Sequence, residues 1–159
     1  MSTTDLIDLR EFAATLRGRR NKAAMVLHPQ IEAQRAYAAR VAEELGWAHL
    51  DMLMIFADNV QLAERLAEFS QADFFDYLRK EGDDRGVVIS GIEFLLAAWM
   101  SQGKSREVKC EFCSRLELWE RSPAFLLIIH EDPVLANYQP TRHPGSRLIL
   151  KTSETLALT

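Results

Sequence analysis

The stretch Lys22 to Gly46, KAAMVLHPQIEAQRAYAARVAEELG, has the pattern of a short strand, a tight turn and a helix. Phosphate chemistry, if the chain has any, belongs in that turn. A glycine-rich phosphate loop follows the spacing G-x-x-x-x-G-K-[ST]. Its glycines let backbone N–H groups wrap the phosphates, its lysine neutralises their charge, and its hydroxyl holds Mg²⁺. On this chain the two glycine positions fall on His28 and Ala33, the lysine position on Gln34 and the hydroxyl position on Arg35. Cβ atoms stand where the loop must bend, Gln34 brings no charge, and Glu32 adds a carboxylate beside the anion. The spacing of the loop is kept while its chemistry is missing.

Such chemistry also needs an acid at the end of a buried strand, to hold Mg²⁺. The run GVVIS, Gly86 to Ser90, ends in Ser90-Gly91, and the nearest carboxylate is Glu93. Glu93 stands where a helix start favours an acid for its own sake. His130 leaves a second apolar run, AFLLII. Ligands of parallel sheets sit at the carboxyl ends of the strands. His28, Gln34, Arg35, Ser90, Glu93 and His130 are therefore expected to gather there as a relic nucleotide pocket, with no residue assigned to catalysis and no cofactor or metal expected. The rival reading is an NTP-binding or NTP-hydrolysing subunit with an atypical loop. Arg35 would be its phosphate cation, Glu93 its acid, and ATP with Mg²⁺ its ligand.

Two other groups of residues invite chemistry. Arg17, Arg19, Arg20 and Lys22 form one basic cluster, and Arg142 and Arg147 flank a second turn, RHPGSR. Together they outline a nucleic-acid-binding accessory protein, whose affinity would fall steeply with salt. The simpler reading is solvated turns, because the net charge is −4 and the average surface does not attract polyanions. Cys110 and Cys113 form a lone CxxC. Zinc would need a second pair; His130 and His143 could supply it in principle, but their sequence context gives no support, and a redox CxxC opens a helix after a strand. This pair sits inside an amphipathic helical pattern, so both residues read as structural thiols.

The elements that must position these residues follow from periodicity. A helix is expected from Thr4 to Leu16, capped by Thr4 or Asp5 and ended by Gly18. A strand covers Ala23 to Leu27. Pro29 suits the first turn of the next helix, and Gly46 closes that helix. Trp47 to Leu53 reads as a second strand. Helices are expected over Val60 to Phe69 (capped by Asp58 or Asn59), Gln71 to Lys80, Glu93 to Met100 and Arg106 to Glu120, the last stopped by Pro123. Gly86 to Ser90 and Ala124 to Ile129 lack polar alternation, as in strands buried on both faces. Asn137 to Gly145 is a loop, and Arg147 to Lys151 a last strand. Trp47, Trp99 and Trp119 sit at element edges as core anchors.

Strands alternating with helices imply one three-layer α/β domain over residues 1–159, with a mostly parallel five-stranded sheet of P-loop NTPase type. The first twenty residues supply a helix and a basic turn. The length of 159 residues suits one domain, and 48% hydrophobic and 26% charged residues are ordinary for a globular chain. No apolar run approaches the ~20 residues of a spanning helix. The start, MSTTDLIDLREF, lacks a signal-peptide pattern, and two cysteines fit a reducing compartment. The expectation is a cytoplasmic protein with no membrane partner.

The pattern resembles BrxF, the small P-loop protein family of BREX-type phage-defence systems. The resemblance rests on the strand–loop–helix from Lys22, the Leu50-Asp51-Met52 segment with the leucine-rich helix after it, VVISGIEFLL from Val87, and YQPTRHPGSRLIL from Tyr138. VVISGIEFLL looks like a Walker B strand in which Ile92 and Glu93 match while Ser90 stands where the family has its acid. The family's glycine-rich loop is absent. The resemblance implies a bacterial antiviral component working inside a multi-protein assembly. The expected function is a non-catalytic adaptor or regulatory subunit that acts by protein–protein interaction, with other defence subunits or further copies of itself as partners.

Overall fold

The computed structural model describes residues 5–143 and 146–158. Five strands form one parallel sheet: β1 (Ala23–His28), β2 (Ala48–Asp51), β3 (Val87–Ser90), β4 (Phe125–His130) and β5 (Ile149–Lys151), in the order β2-β3-β4-β1-β5. The lack of alternation in the strands has a direct cause. Met25, Leu27, Ile89 and Leu127 enter one core, while Ala24, Val26, Val88 and Leu126 enter a second core on the opposite face. All eight are fully buried. Both faces of the sheet are thus covered, which is the three-layer α/β arrangement.

One cover is α1 (Leu9–Gly18) and α2 (Gln34–Leu45), which supply Leu9, Leu16, Ala38, Val41 and Ala42. The other is α5 (Gln71–Glu81), α6 (Glu93–Met100) and α7 (Ser105–Glu117), which follow the short helices α3 (Met52–Ala57) and α4 (Val60–Glu64) in the chain. Phe74 and Phe112 anchor this side with Trp99, Trp119 and Phe125 in tilted and edge-on ring contacts. The short α8 (Pro133–Ala136) leads from β4 toward β5. Among the described residues, no helix is long and apolar enough to cross a membrane.

Several expected boundaries move, each for a local reason. The first helix begins at Leu9, because Asp8 accepts the Arg10 N–H as its N-cap; Thr4 lies outside the described residues. The segment Trp47 to Leu53 is not all strand. Asp51 accepts the Met54 N–H and starts α3, so β2 ends at Asp51. The helix expected over Val60 to Phe69 breaks after Glu64, and Leu66–Glu68 form a 3₁₀ turn. Trp99 Nε1 donates to the Phe69 carbonyl at 2.7 Å and Gln102 Nε2 to the Ala67 carbonyl at 3.2 Å. One bond from α6 and one from Gln102 beyond its end thus anchor the chain at this turn.

Pro123 does not stop α7, which ends at Glu117. The buried Asn21 amide donates to the carbonyls of Leu116, Glu117 and Trp119 and so caps that end. The last strand is shorter than Arg147 to Lys151. Gly46, at φ 69°, closes α2 as expected. Pro144 and Gly145, within the expected loop, lie outside the described residues.

Candidate functional site: the carboxyl ends of β1, β3 and β4

From β1 the chain crosses toward β2 at one edge of the sheet, and from β4 it crosses to β5 at the other. The crevice where the chain diverges, at the carboxyl ends of the strands, is where such sheets hold ligands. β1 and β4 run in register, His28 beside His130, and the register between β2 and β3 places Asp51 beside Ser90. The turn 28–33 feeds α2 through a 3₁₀ turn, Ile31–Ala33, so the α-helix proper starts at Gln34 and not near Pro29. The His28 imidazole Nδ1 accepts the Gln30 N–H at 3.0 Å, and its ring packs at 5.0 Å on Tyr37. The turn is short and is braced by a side chain.

Gln34 is 3% exposed. Its Oε1 accepts the Gly91 N–H at 2.9 Å, and its Nε2 donates to Glu93 Oε2 at 2.6 Å. The same Glu93 oxygen accepts the His130 N–H at 2.9 Å. Gln34 on α2 therefore bridges the turn after β3 and the start of α6, and Glu93 carries the link on to the end of β4. Gly91 has to be glycine here. Its φ is 72°, and a Cβ would come within 2.7 Å of Asp51 Oδ1.

Arg35 is paired with Asp51 at 2.6 Å, which ties α2 to the end of β2. Ser90, 1% exposed, shares a 2.8 Å hydrogen bond with His49 Nε2. Burial lowers the pKa of His49; Asp51 works against that shift and Arg35 adds to it. The neutral imidazole is thus favoured beside a hydroxyl. His130 itself is exposed and enters the network only through its backbone N–H.

The structure brings Gln34, Glu93 and the His130 backbone into direct contact and sets Arg35 and Ser90 into neighbouring pairs. Two residues of that set, His49 and Asp51, were missed by the sequence analysis. Asp51 had a legible signal: an aspartate before MLMIF is an N-cap. His49 had none, because its role depends on which strand lies beside β2.

The basic residues are largely engaged within the fold. The guanidinium of Arg19 donates to Asn21, to the Ala23 carbonyl and to the Arg147 carbonyl, and burial lowers its pKa. Arg20 pairs with Glu120 at 2.8 Å, Lys22 Nζ donates to the carbonyls of Arg17 and Arg19, and Arg147 pairs with Glu154. Arg17 and Arg142 are exposed. The Arg142 N–H, with the Thr141 N–H and the Tyr138 hydroxyl, donates to buried Glu117, which pins that loop to α7. Cys110 and Cys113 lie one turn apart inside α7. The Cys113 thiol is pushed up to about 12 by burial, with Cys110, Glu117 and Asp132 adding to the shift. Among the described residues, no three His, Cys, Asp or Glu side chains converge as metal ligands.

No protein-family model matches the chain, and no curated protein matches it.

Proposed function

We propose that the chain is a non-catalytic adaptor or regulatory subunit of a bacterial phage-defence assembly, built on a P-loop-type fold whose phosphate site is closed by its own side chains. The Gln34–Glu93 pair carries this reading. At the lysine position of a phosphate loop the side chain must be free to meet an anion. Gln34 is instead buried with both ends of its amide engaged. Arg35, the only cation at the motif positions, is held by Asp51. A nucleotide phosphate would have to break these bonds, at a cost of about 1–3 kcal/mol for each polar group left buried and unpaired. The carboxylate of Glu93 would also repel it.

The P-loop frame is supported by the parallel sheet and by the place of the 28–35 turn at the end of β1, with Ser90 at the end of β3. The defence role rests on the BrxF-like segments VVISGIEFLL and YQPTRHPGSRLIL. A fold that keeps its frame and loses its chemistry is of use as a scaffold for partners.

Isothermal titration with Mg-ATP and with ADP tests the reading. No heat at protein concentrations that detect a Kd of about 1 mM is expected. Micromolar binding would overturn the adaptor reading in favour of the atypical NTP-binding subunit.

A further inference from the structure

On the side of the molecule built by α5, α6 and α7 lies a groove of about 580 Å³, a size typical of ligand-holding clefts. One wall is the 3₁₀ turn with the start of α5; the other is a stripe of α7 from Lys104 to Arg115. That stripe is roughly 16 Å of helix at 1.5 Å per residue. Trp99 and Val108, both nine-tenths buried, supply apolar lining.

Two buried polar atoms of the lining have no hydrogen-bond partner, Gln71 Oε1 and Arg115 Nε. Gln71 is 7% exposed. Its Nε2 reaches the Val108 carbonyl at 3.4 Å, and its oxygen is left over. Arg115 spends Nη2 on Glu111 at 3.2 Å, and its Nε–H is left over. One group needs a donor and the other an acceptor. Both residues line the groove. The terminal torsion of a glutamine amide is broad, and the Arg115 side chain is 39% exposed, so each can turn its free group to an occupant.

A peptide backbone alternates N–H and C=O and supplies both needs from one short stretch. The rim adds a charge preference. Glu68 and Glu107 have no ion-pair partner among the described residues, and Lys104 is the one unpaired cation beside them there.

We propose that this groove binds an extended, basic peptide segment of a partner protein. Its main chain would pair with Gln71 and Arg115, and a lysine or arginine would sit against Glu68 and Glu107. A 16 Å wall takes about five extended residues at ~3.3 Å each. The proposal deepens the adaptor reading by giving it a recognition site, and it rests on that reading for the partner being a protein.

The test is selection of linear heptapeptides from a phage-displayed library on the immobilised full chain, followed by fluorescence polarisation with the best synthetic peptide. Enriched peptides are expected to share a lysine or arginine. Gln71→Leu is expected to weaken the peptide at least tenfold while leaving the thermal midpoint unchanged or higher. Glu107→Gln, a change at an exposed position, is expected to weaken it severalfold and to flatten its salt dependence. The proposal is overturned by a library that yields no binder, by enriched peptides without a basic residue, or by affinity indifferent to both variants. A dimer in solution that Gln71→Leu disperses would overturn it too, by making a second copy the occupant. ATP binding is a separate readout: micromolar ATP affinity with the peptide result intact sinks the adaptor reading, whereas no peptide and no ATP sinks the groove alone.

Discussion

Two buried glutamines divide this molecule. Gln34 and Gln71 each begin a helix, α2 and α5, and each is almost wholly buried. The Gln34 amide is spent at both ends, on Gly91 and Glu93. The Gln71 amide has one long bond, to the Val108 carbonyl, and an oxygen with nothing to accept. Because buried polar groups are nearly always paired, an exception calls for a cause. Gln34 stands where the sequence spacing promised a ligand, and its surroundings have filled that place from within. Gln71 stands where the sequence promised only a helix start, and its surroundings are incomplete. The crevice at the strand ends is closed by its own side chains, and the groove beside α5 keeps a polar atom without a hydrogen-bond partner.

The sharpest way to break that contrast is Gln34→Leu. It leaves the Gly91 N–H without its acceptor and takes from the Glu93 carboxylate one of its two donors, the His130 N–H remaining. The expected loss is about 2–4 kcal/mol, or roughly 5–15 °C in thermal midpoint for a domain of this size. Urea unfolding followed by circular dichroism measures it. A loss below about 0.5 kcal/mol would mean that the bridge is incidental and that the crevice is not held shut by it.

Gln71→Leu should act in the other direction. It removes an unsatisfied acceptor and keeps the volume, a change that is neutral or stabilising when the lost bond was poor. The expected shift lies between zero and about 1 kcal/mol of added stability, in the same unfolding experiment. A loss comparable to that of Gln34→Leu would show that the Gln71 amide is fully employed in the native state, and the two glutamines would no longer differ.

The sheet was legible because its chemistry is redundant. VVIS and FLLII have no polar face, so they must be covered on both sides, and this alone demands helices above and below. Gly46 likewise acts through neighbours in sequence. The failures were of another kind. Leu66 to Glu68 has a helical pattern, yet Gln102 bonds its Ala67 carbonyl and Trp99 the Phe69 carbonyl just after it, contacts set by the tertiary fold. Arg106 to Glu120 was expected to run on toward Pro123, yet Asn21, about a hundred residues earlier in the chain, caps it. At the crevice the motif positions Gln34 and Glu93 were legible as missing chemistry. That they would satisfy each other was not, because their meeting depends on the turn after β3 standing beside the end of β1. Arg19, Arg20 and Lys22 read as a basic patch because charge is visible in sequence, whereas the carbonyls and carboxylates that absorb it are not.

The smallest expected effect decides the most about chemistry. Arg35 is 57% exposed along its side chain, and its partner Asp51 is 13% exposed. A pair this open to solvent contributes about 0.2–1 kcal/mol, so Arg35→Ala should leave the fold nearly unchanged in urea unfolding. With so little lost structurally, any functional loss would be informative. On the adaptor reading, nucleotide titration and peptide binding are the same before and after the change. On the rival reading, Arg35 is the cation that meets the phosphate, and its removal abolishes whatever ATP affinity the chain has. Asp51→Asn completes the comparison. It frees Arg35 without deleting it, and on the rival reading it should raise ATP affinity. On the adaptor reading it should change nothing, because Gln34 and Glu93 still fill the place a phosphate would need.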